Sequence, residues 1–321
     1  MAASVAGMDL TREFGLLPVS RREALDKGLS KREWELLLAE ERLHKVRAGV
    51  YLVELSGDAR VKHCQLTAAA MKSRTNHFAC SGSALAILEL PNPYFTSWSK
   101  VPVTIAGPRS DLKAGIRQNP GWAPIDTDWG PCTDLIDTAT ALAEELELPQ
   151  ALMVTDAVAR LLAGVKPGEQ LTNARRTELA SEACRTEVRR RLTRYSDSQA
   201  LALANPAAEA PSESFYRGHM ILSGHEDPLC GVPVRGATGD LYFIDILLAG
   251  LASEVDGEDK YTNRRTVVDE KRREDDLRAT GLEFLRPWVK DLYADPDKEM
   301  RRLKEKEEFV RVIHRLIPTL G

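Results

Sequence analysis

The chain has 321 residues, enough for two or three domains, and its 43% hydrophobic and 29% charged residues make an ordinary globular composition. A formal net charge of −4 excludes a global basic signature, so any nucleic-acid binding has to come from local patches. Cys64, Cys80, Cys132, Cys184 and Cys230 are scattered and never spaced as C-x-x-C, which argues against a disulfide framework or zinc knuckle and for a reducing compartment.

No apolar stretch approaches the roughly 20 residues that cross a bilayer, and MAASVAGMDLTREFG lacks a basic segment followed by an apolar block. The sequence therefore predicts a cytoplasmic protein with no membrane partner. Its patterning predicts an α+β chain in three parts: an N-terminal winged helix-turn-helix over 1–58, a mixed middle domain over 59–204, and a C-terminal domain over 205–321. The last boundary is drawn at NPAAEAPSES (205–214), where small residues and two prolines interrupt a helical stretch.

In the first part, Ser20 stands before a short helix and Lys27-Gly28-Leu29 makes a tight turn, with glycine supplying a positive φ. Ser30 is placed to cap a second helix by accepting an orphan N–H. Trp34, Leu37 and Leu38 form its inward stripe, leaving Lys31, Arg32 and Glu35 outside. Two helices joined by such a turn describe a helix-turn-helix, whose second helix enters the major groove N-terminus first. RLHKVRAGVYLV (42–53) then alternates basic and apolar residues, turns at Ala48-Gly49 and reads as a β-hairpin wing. Arg42, His44, Lys45 and Arg47 on it are candidates for phosphate contacts, which position a protein on double-stranded DNA without specifying sequence. The plainer alternative is a helical hairpin with a solvated basic face.

This block resembles the N-terminal winged helix of AbiEi-type antitoxins of the type IV toxin–antitoxin systems. Leu16-Leu17, Ser20-Arg21-Arg22, Gly28-Leu29-Ser30 with Arg32-Glu33, Arg42-Leu43 and Arg47-Ala48-Gly49-Val50-Tyr51 carry the likeness, which continues through HFACSGSALAILELP (77–91) and GPCTDLIDTATAL (130–142). The resemblance implies a DNA-binding autoregulator with a cognate toxin as partner.

The middle part is predicted to mix a strand at VPVTIAG (101–107) with helices over 134–149, 148–164 and 173–195. His63-Cys64 and His77 with Cys80 have the wrong spacing for one metal site, so buried packing is the expected role. Arg175, Arg176, Arg185, Arg189, Arg190, Arg191 and Arg194 outnumber their acidic neighbours. A charge run of this kind is usually a solvated face; beside a DNA reader it is also a candidate phosphate track.

The C-terminal part is predicted to hold strands to about 256, a charged helix over 266–280, a strand in GLEFLRPW (281–288) and a terminal helix over 295–316. Within it, FIDILLAGLASEVDGEDKY (243–261) sets acids into apolar strands, which is costly unless they are compensated. If Ala249-Gly250 form a two-residue turn, paired residue numbers sum to 499 and Asp245 faces Glu254, with Cβ atoms about 5 Å apart. Alternation puts Asp256 on the face of Glu254, while Ile244, Ile246 and Val255 line the core side. Oxygen-only donors of this kind suit Mg²⁺ or Mn²⁺. The other reading is a register slip, or a longer loop that leaves the acids separately solvated.

Residues 205–296 resemble the very-short-patch-repair-like branch of the PD-(D/E)XK nucleases. AEAPSES (208–214), FIDILL, SEVDGEDK and RREDDLRATGLEFLRPWVKDL (272–292) carry that resemblance in order. It implies Asp245 and Glu254 as metal ligands, Asp256 as a third ligand or water-orienting group, Glu213 in the same catalytic shell, and a magnesium-dependent DNA endonuclease activity. Asp256 stands where the core motif has lysine, and Lys260 where the branch has histidine, so Lys260 or Lys271 is expected to supply the positive charge. Two readings follow: a nuclease domain, or a catalytically silent one kept for binding DNA or a partner.

Overall fold

The computed structural model describes residues 14–107, 124–194, 196–256 and 264–316. The chain is α+β, with three separate sheets divided between two compact units, residues 1–141 and 142–321.

The first unit opens with β1 (Val19–Ser20), α1 (Arg21–Asp26), α2 (Lys31–Ala39), β2 (His44–Arg47) and β3 (Val50–Leu52). The strands form an antiparallel sheet in the order β1-β3-β2. Both helices begin with a full capping box, Ser20 with Glu23 and Ser30 with Glu33, so each serine hydroxyl satisfies an orphan N–H. Gly28 has φ +102°, the left-handed turn expected between the helices. Trp34 and Leu37 are buried with Phe14, Val19, Ala24, Leu29 and Leu43, and the Tyr51 ring meets Trp34 edge-on at 5.2 Å. The remainder of this unit is α3 (Ala59–Lys72), β4 (Phe78–Ala79), α4 (Ser81–Ile87), β5 (Ile105–Ala106), β6 (Ile125–Thr127) and β7 (Gly130–Cys132), with sheet order β5-β4-β7-β6. Only Ile105–Ala106 of the expected strand over 101–107 pairs. α3 is tied to the segments flanking the first sheet: Gln65 donates to the carbonyls of Leu16 and Glu54 at 3.1 and 2.8 Å and accepts the Ser56 N–H at 2.9 Å.

After α5 (Leu135–Glu145), the second unit runs α6 (Leu148–Leu162), α7 (Asn173–Leu179), α8 (Glu182–Leu192), α9 (Gln199–Ala202), α10 (Pro211–Leu222), β8 (Leu229–Arg235), β9 (Leu241–Leu248), β10 (Leu251–Ser253), α11 (Arg264–Arg278), β11 (Glu283–Leu285), α12 (Val289–Ala294) and α13 (Pro296–Leu316). The helix expected over 173–195 breaks at Ala180, because Ser181 caps a new start by accepting the Cys184 N–H. The sheet order is β11-β10-β9-β8, with β10 and β11 parallel. Phe215, Tyr216 and Met220 of α10 pack with Cys230, Ile246, Leu251, Val255 and Leu285, whereas Ile244, Ala252, Phe284 and Leu277 of α11 make a second cluster.

The division at 141/142 differs from the boundary drawn at 204/205. Residues 204–208 are buried, and the Asn205 N–H donates to the buried Asp156 carboxylate at 2.8 Å. Small side chains here permit close packing, as does Gly218, where a Cβ would meet Pro149 Cα at 2.5 Å. What reads as a linker is a helix–helix contact.

Candidate functional site

At the start of α2, Lys31, Arg32 and Glu35 are exposed, as are Arg42, His44, Lys45 and Arg47 around the β2–β3 hairpin. Gly49 has φ +72° at the hairpin turn, and a bulge lies between Lys45 and Arg47. Glu35 is held 3.1 Å from Arg21, whereas the cationic ends of Lys31 and Arg32 have no ion-pair partner among the described residues.

The arginine run of α7 and α8 is largely taken up within its own unit. Arg189 reaches Asp227 at 2.7 Å and the Leu203 and Ala204 carbonyls, and Arg191 donates to Leu162 O at 2.9 Å. Arg176 pairs with Glu209, Arg175 with Glu178, Arg185 with Glu182 and Arg190 with Glu187. Arg176, Arg189 and Arg191 thus tie α7 and α8 to neighbouring segments, whereas the Arg175–Glu178, Arg185–Glu182 and Arg190–Glu187 pairs lie within single helices. His63 is buried against the Ser83 hydroxyl at 3.0 Å, and burial pushes the Cys64 thiol up to about 11, so both serve packing.

The β9–β10 hairpin has the expected register: Leu251 faces Leu248, Ala252 faces Leu247 and Ser253 faces Ile246. Ala249 and Gly250 form the turn with φ of +48° and +84°. Past Ser253 the chain leaves β9, since the Glu254 N–H donates to Leu285 O and the Asp256 N–H to Pro287 O. The Asp245 carboxylate fills the gap by accepting the Val255 N–H at 3.2 Å. Opposite Asp245 on β8, Gly231 has φ +59° and the pairing skips it, so the sheet kinks there. Ile244, Ile246 and Val255 are all buried as expected, but the kink sends Ile244 into the second cluster.

Glu213, Glu254 and Asp256 are buried. Burial, and then the Asp245 charge, hold the Glu213 carboxyl well above the usual carboxylate range; one of its oxygens accepts the Glu209 N–H at 2.8 Å. Glu254 is gripped by both ends of the Arg273 guanidinium, at 3.1 and 2.8 Å, and Arg273 also donates to Phe243 O at 2.7 Å. Asp256 meets Arg286 at 3.1 Å, and Glu270 lies 3.4 Å from both arginines. Arg273 thus takes Glu254 and feels the charge of Asp245, which in turn adds to burial in raising Glu213, while Asp256 sits on Arg286 and Glu270 lies between the two arginines.

Arg273 and Arg286 are the residues that sequence reasoning missed. Lys271 is exposed, and Lys260 lies outside the described residues, so the cations seen beside the acids are these arginines. The available signal was position: Arg273 opens the Arg-x-x-x-Leu-x-x-x-Gly stretch of α11, and Arg286 directly follows β11.

Among the described residues, no three His, Cys, Asp or Glu side chains stand ready to hold a metal ion. In kind, however, Glu213, Asp245 and Glu254 fit a hard divalent cation. They offer oxygen alone, while the raised Glu213 carboxyl reflects burial first and the Asp245 charge second. Arg273 supplies Glu254 with the positive charge that a cation would otherwise provide. Among the described residues no helix is long and apolar enough to cross a membrane. No family model, curated protein or solved structure matches the chain.

Proposed function

We propose that this chain is a DNA-binding regulator of the AbiEi antitoxin type whose second unit carries a divalent-cation-dependent phosphodiesterase site. The observation that carries the reading is Asp245 set between two buried acids, near enough to add to burial in raising the Glu213 carboxyl on one side, and to act on Arg273, the partner of Glu254, on the other. Exposed Lys31 and Arg32, at the start of a capped helix, support the DNA half.

Asp245 and Glu254 would hold Mg²⁺ or Mn²⁺, with Glu213 completing the oxygen set. Bound there, the cation supplies Lewis-acid polarisation of a phosphate oxygen and a more acidic water. The protein's own groups set the rest. Asp245 is fixed by the Val255 N–H, and Glu254 is kept from solvent at the end of β10. Arg273 offers a fork that suits phosphate as well as carboxylate.

The test incubates the full chain with duplex, single-stranded and mismatched DNA in Mg²⁺ or Mn²⁺, beside Glu254→Ala. Cleavage by the parent and none by the variant is the expected result; no cleavage by either removes the enzyme half. For the DNA half, Lys31→Ala with Arg32→Ala is expected to weaken binding to the protein's own promoter region and flatten the salt dependence by about 2 in slope. An unchanged slope overturns it.

A second reading is favoured by the ion pairs themselves. Arg273 and Arg286 already neutralise Glu254 and Asp256, as suits a silent domain that binds DNA or a cognate toxin. Cation-independent DNA binding without cleavage is its expected outcome.

A further inference from the structure

We propose that a cavity within the first unit binds a purine mononucleotide, independently of the acidic cluster in the second unit. Its volume of about 540 Å³ is that of a small-molecule site. The end of α3, the segment that follows it and the β6–β7 turn supply most of the lining, with Leu17 and Pro18 from ahead of β1. That lining is of two kinds. Met71, Trp129 and Pro131 give apolar and aromatic surface, on which a flat base stacks. Lys72 and Arg74 are permanent cations and outnumber the one carboxylate of the lining, Asp128. A base joined through a sugar to a phosphate uses both parts. An apolar ligand leaves the cations unused, and inorganic phosphate leaves the indole unused.

The walls are set in advance of a ligand. Thr127 Oγ1 accepts the Trp129 N–H at 3.2 Å and donates to Gly130 O at 2.6 Å, which fixes the turn that presents the half-buried indole. Gly130 has φ +109°, and a Cβ there would meet Met71 Cε at 3.1 Å, so the turn lies directly on the methionine. His77, also in the lining, is held in the same way. Its Nδ1 donates to Thr75 O at 2.8 Å, and its ring lies on Gly107, where a Cβ would meet Nε2 at 2.6 Å. Walls fixed beforehand lower the ordering cost of binding.

The two cations are held differently. Arg74 has no ion-pair partner among the described residues, so its fork is open to a phosphate. Lys72 pairs with Glu23 at 2.6 Å, and Glu23 also accepts the N–H and the hydroxyl of Ser20 at the start of α1. A phosphate that takes Lys72 therefore competes with Glu23, and filling the cavity loosens a tie between α3 and α1.

The experiment titrates the full chain with GMP and AMP by calorimetry, without DNA or divalent metal, and with guanosine and inorganic phosphate as part-ligands. A nucleotide is expected to bind saturably, and each part-ligand at least about tenfold more weakly. Arg74→Ala, at an exposed position, is expected to weaken nucleotide binding about tenfold and to leave guanosine binding unchanged. Trp129→Leu is expected to weaken nucleotide and guanosine together. Glu23→Gln keeps an acceptor for Ser20 but frees Lys72, and is expected to tighten nucleotide binding severalfold.

No saturable binding of either nucleotide at millimolar concentration overturns the proposal, as does nucleotide binding that Arg74→Ala leaves unchanged. Inorganic phosphate that binds as tightly as GMP overturns the nucleotide assignment. Equal or weaker nucleotide binding in Glu23→Gln overturns the exchange at Lys72. If Trp129→Leu does not fold, Arg74→Ala decides: a loss for GMP alone supports the proposal, and a loss for GMP and guanosine alike overturns it.

Discussion

Among the described residues, two carboxyl groups are raised by burial together with a like charge beside them. Glu213 is one, with Asp245 beside it; Asp137, near the start of α5, is the other. For Asp137, burial and then the Asp134 charge push the carboxyl from 3.8 up to about 6. The folded state therefore binds the proton more tightly than the unfolded chain. The stability linked to it is complete below about pH 4, falls as pH rises towards 6 and is flat above that. Asp137→Asn removes the titration while nearly preserving shape. Its melting temperature is expected to match wild type at pH 4 and to exceed it from pH 6 upward. A difference independent of pH would show that the Asp137 carboxyl does not feel its surroundings in this way.

At the scale of the element, the β9–β10 hairpin shows what local pattern can and cannot specify. Its turn and register follow from short-range rules: two apolar strands around Ala249-Gly250, with paired numbers summing to 499. Both turn residues have positive φ, a type I′ geometry that favours Asn-Gly, because the short polar Asn side chain tolerates the left-handed backbone better than Ala does. Ala249→Asn is thus expected to raise stability by about 0.5–1 kcal/mol in denaturant unfolding; a loss would mean that the turn is shaped by its surroundings rather than by backbone preference. Capping serines and the inward Trp34 stripe were equally legible, because each depends on neighbours within one helix. The arginine partners of the acids were not. Arg273 lies 19 residues beyond Glu254 and reaches it only because α11 packs back on the sheet, which no local periodicity encodes. Nor did the pattern reveal the kink at Gly231, since its opposite number, Asp245, is set by the pairing of β8 with β9.

Across the whole molecule, the exposed basic side chains of α2 and the β2–β3 hairpin and the acidic cluster fall in different compact units, and the second unit is larger than composition suggests because it takes in residues 142–204. The reason is electrostatic as well as steric. Arg217 of α10 is fully buried and bonds Asp156 of α6 through both carboxylate oxygens at 2.9 Å, and Asp227 at 2.5 Å. Burial opposes both charges; the pairing, together with the Asn205 N–H and the Leu203 carbonyl, offsets it. A buried pair of this type contributes little net stability when intact, yet removing one partner strands the other in a dry site. Asp156→Ala is therefore expected to cost about 3–5 kcal/mol in chemical denaturation, far more than its small side chain would cost by packing alone. The same logic predicts that a 142–321 fragment unfolds cooperatively, whereas a 205–321 fragment, which keeps Arg217 but lacks Asp156, does not hold a native fold. A cooperative transition in the shorter fragment, or a loss below about 1 kcal/mol for Asp156→Ala, would mean that α6 is an accessory to the acidic-site unit and not part of its core.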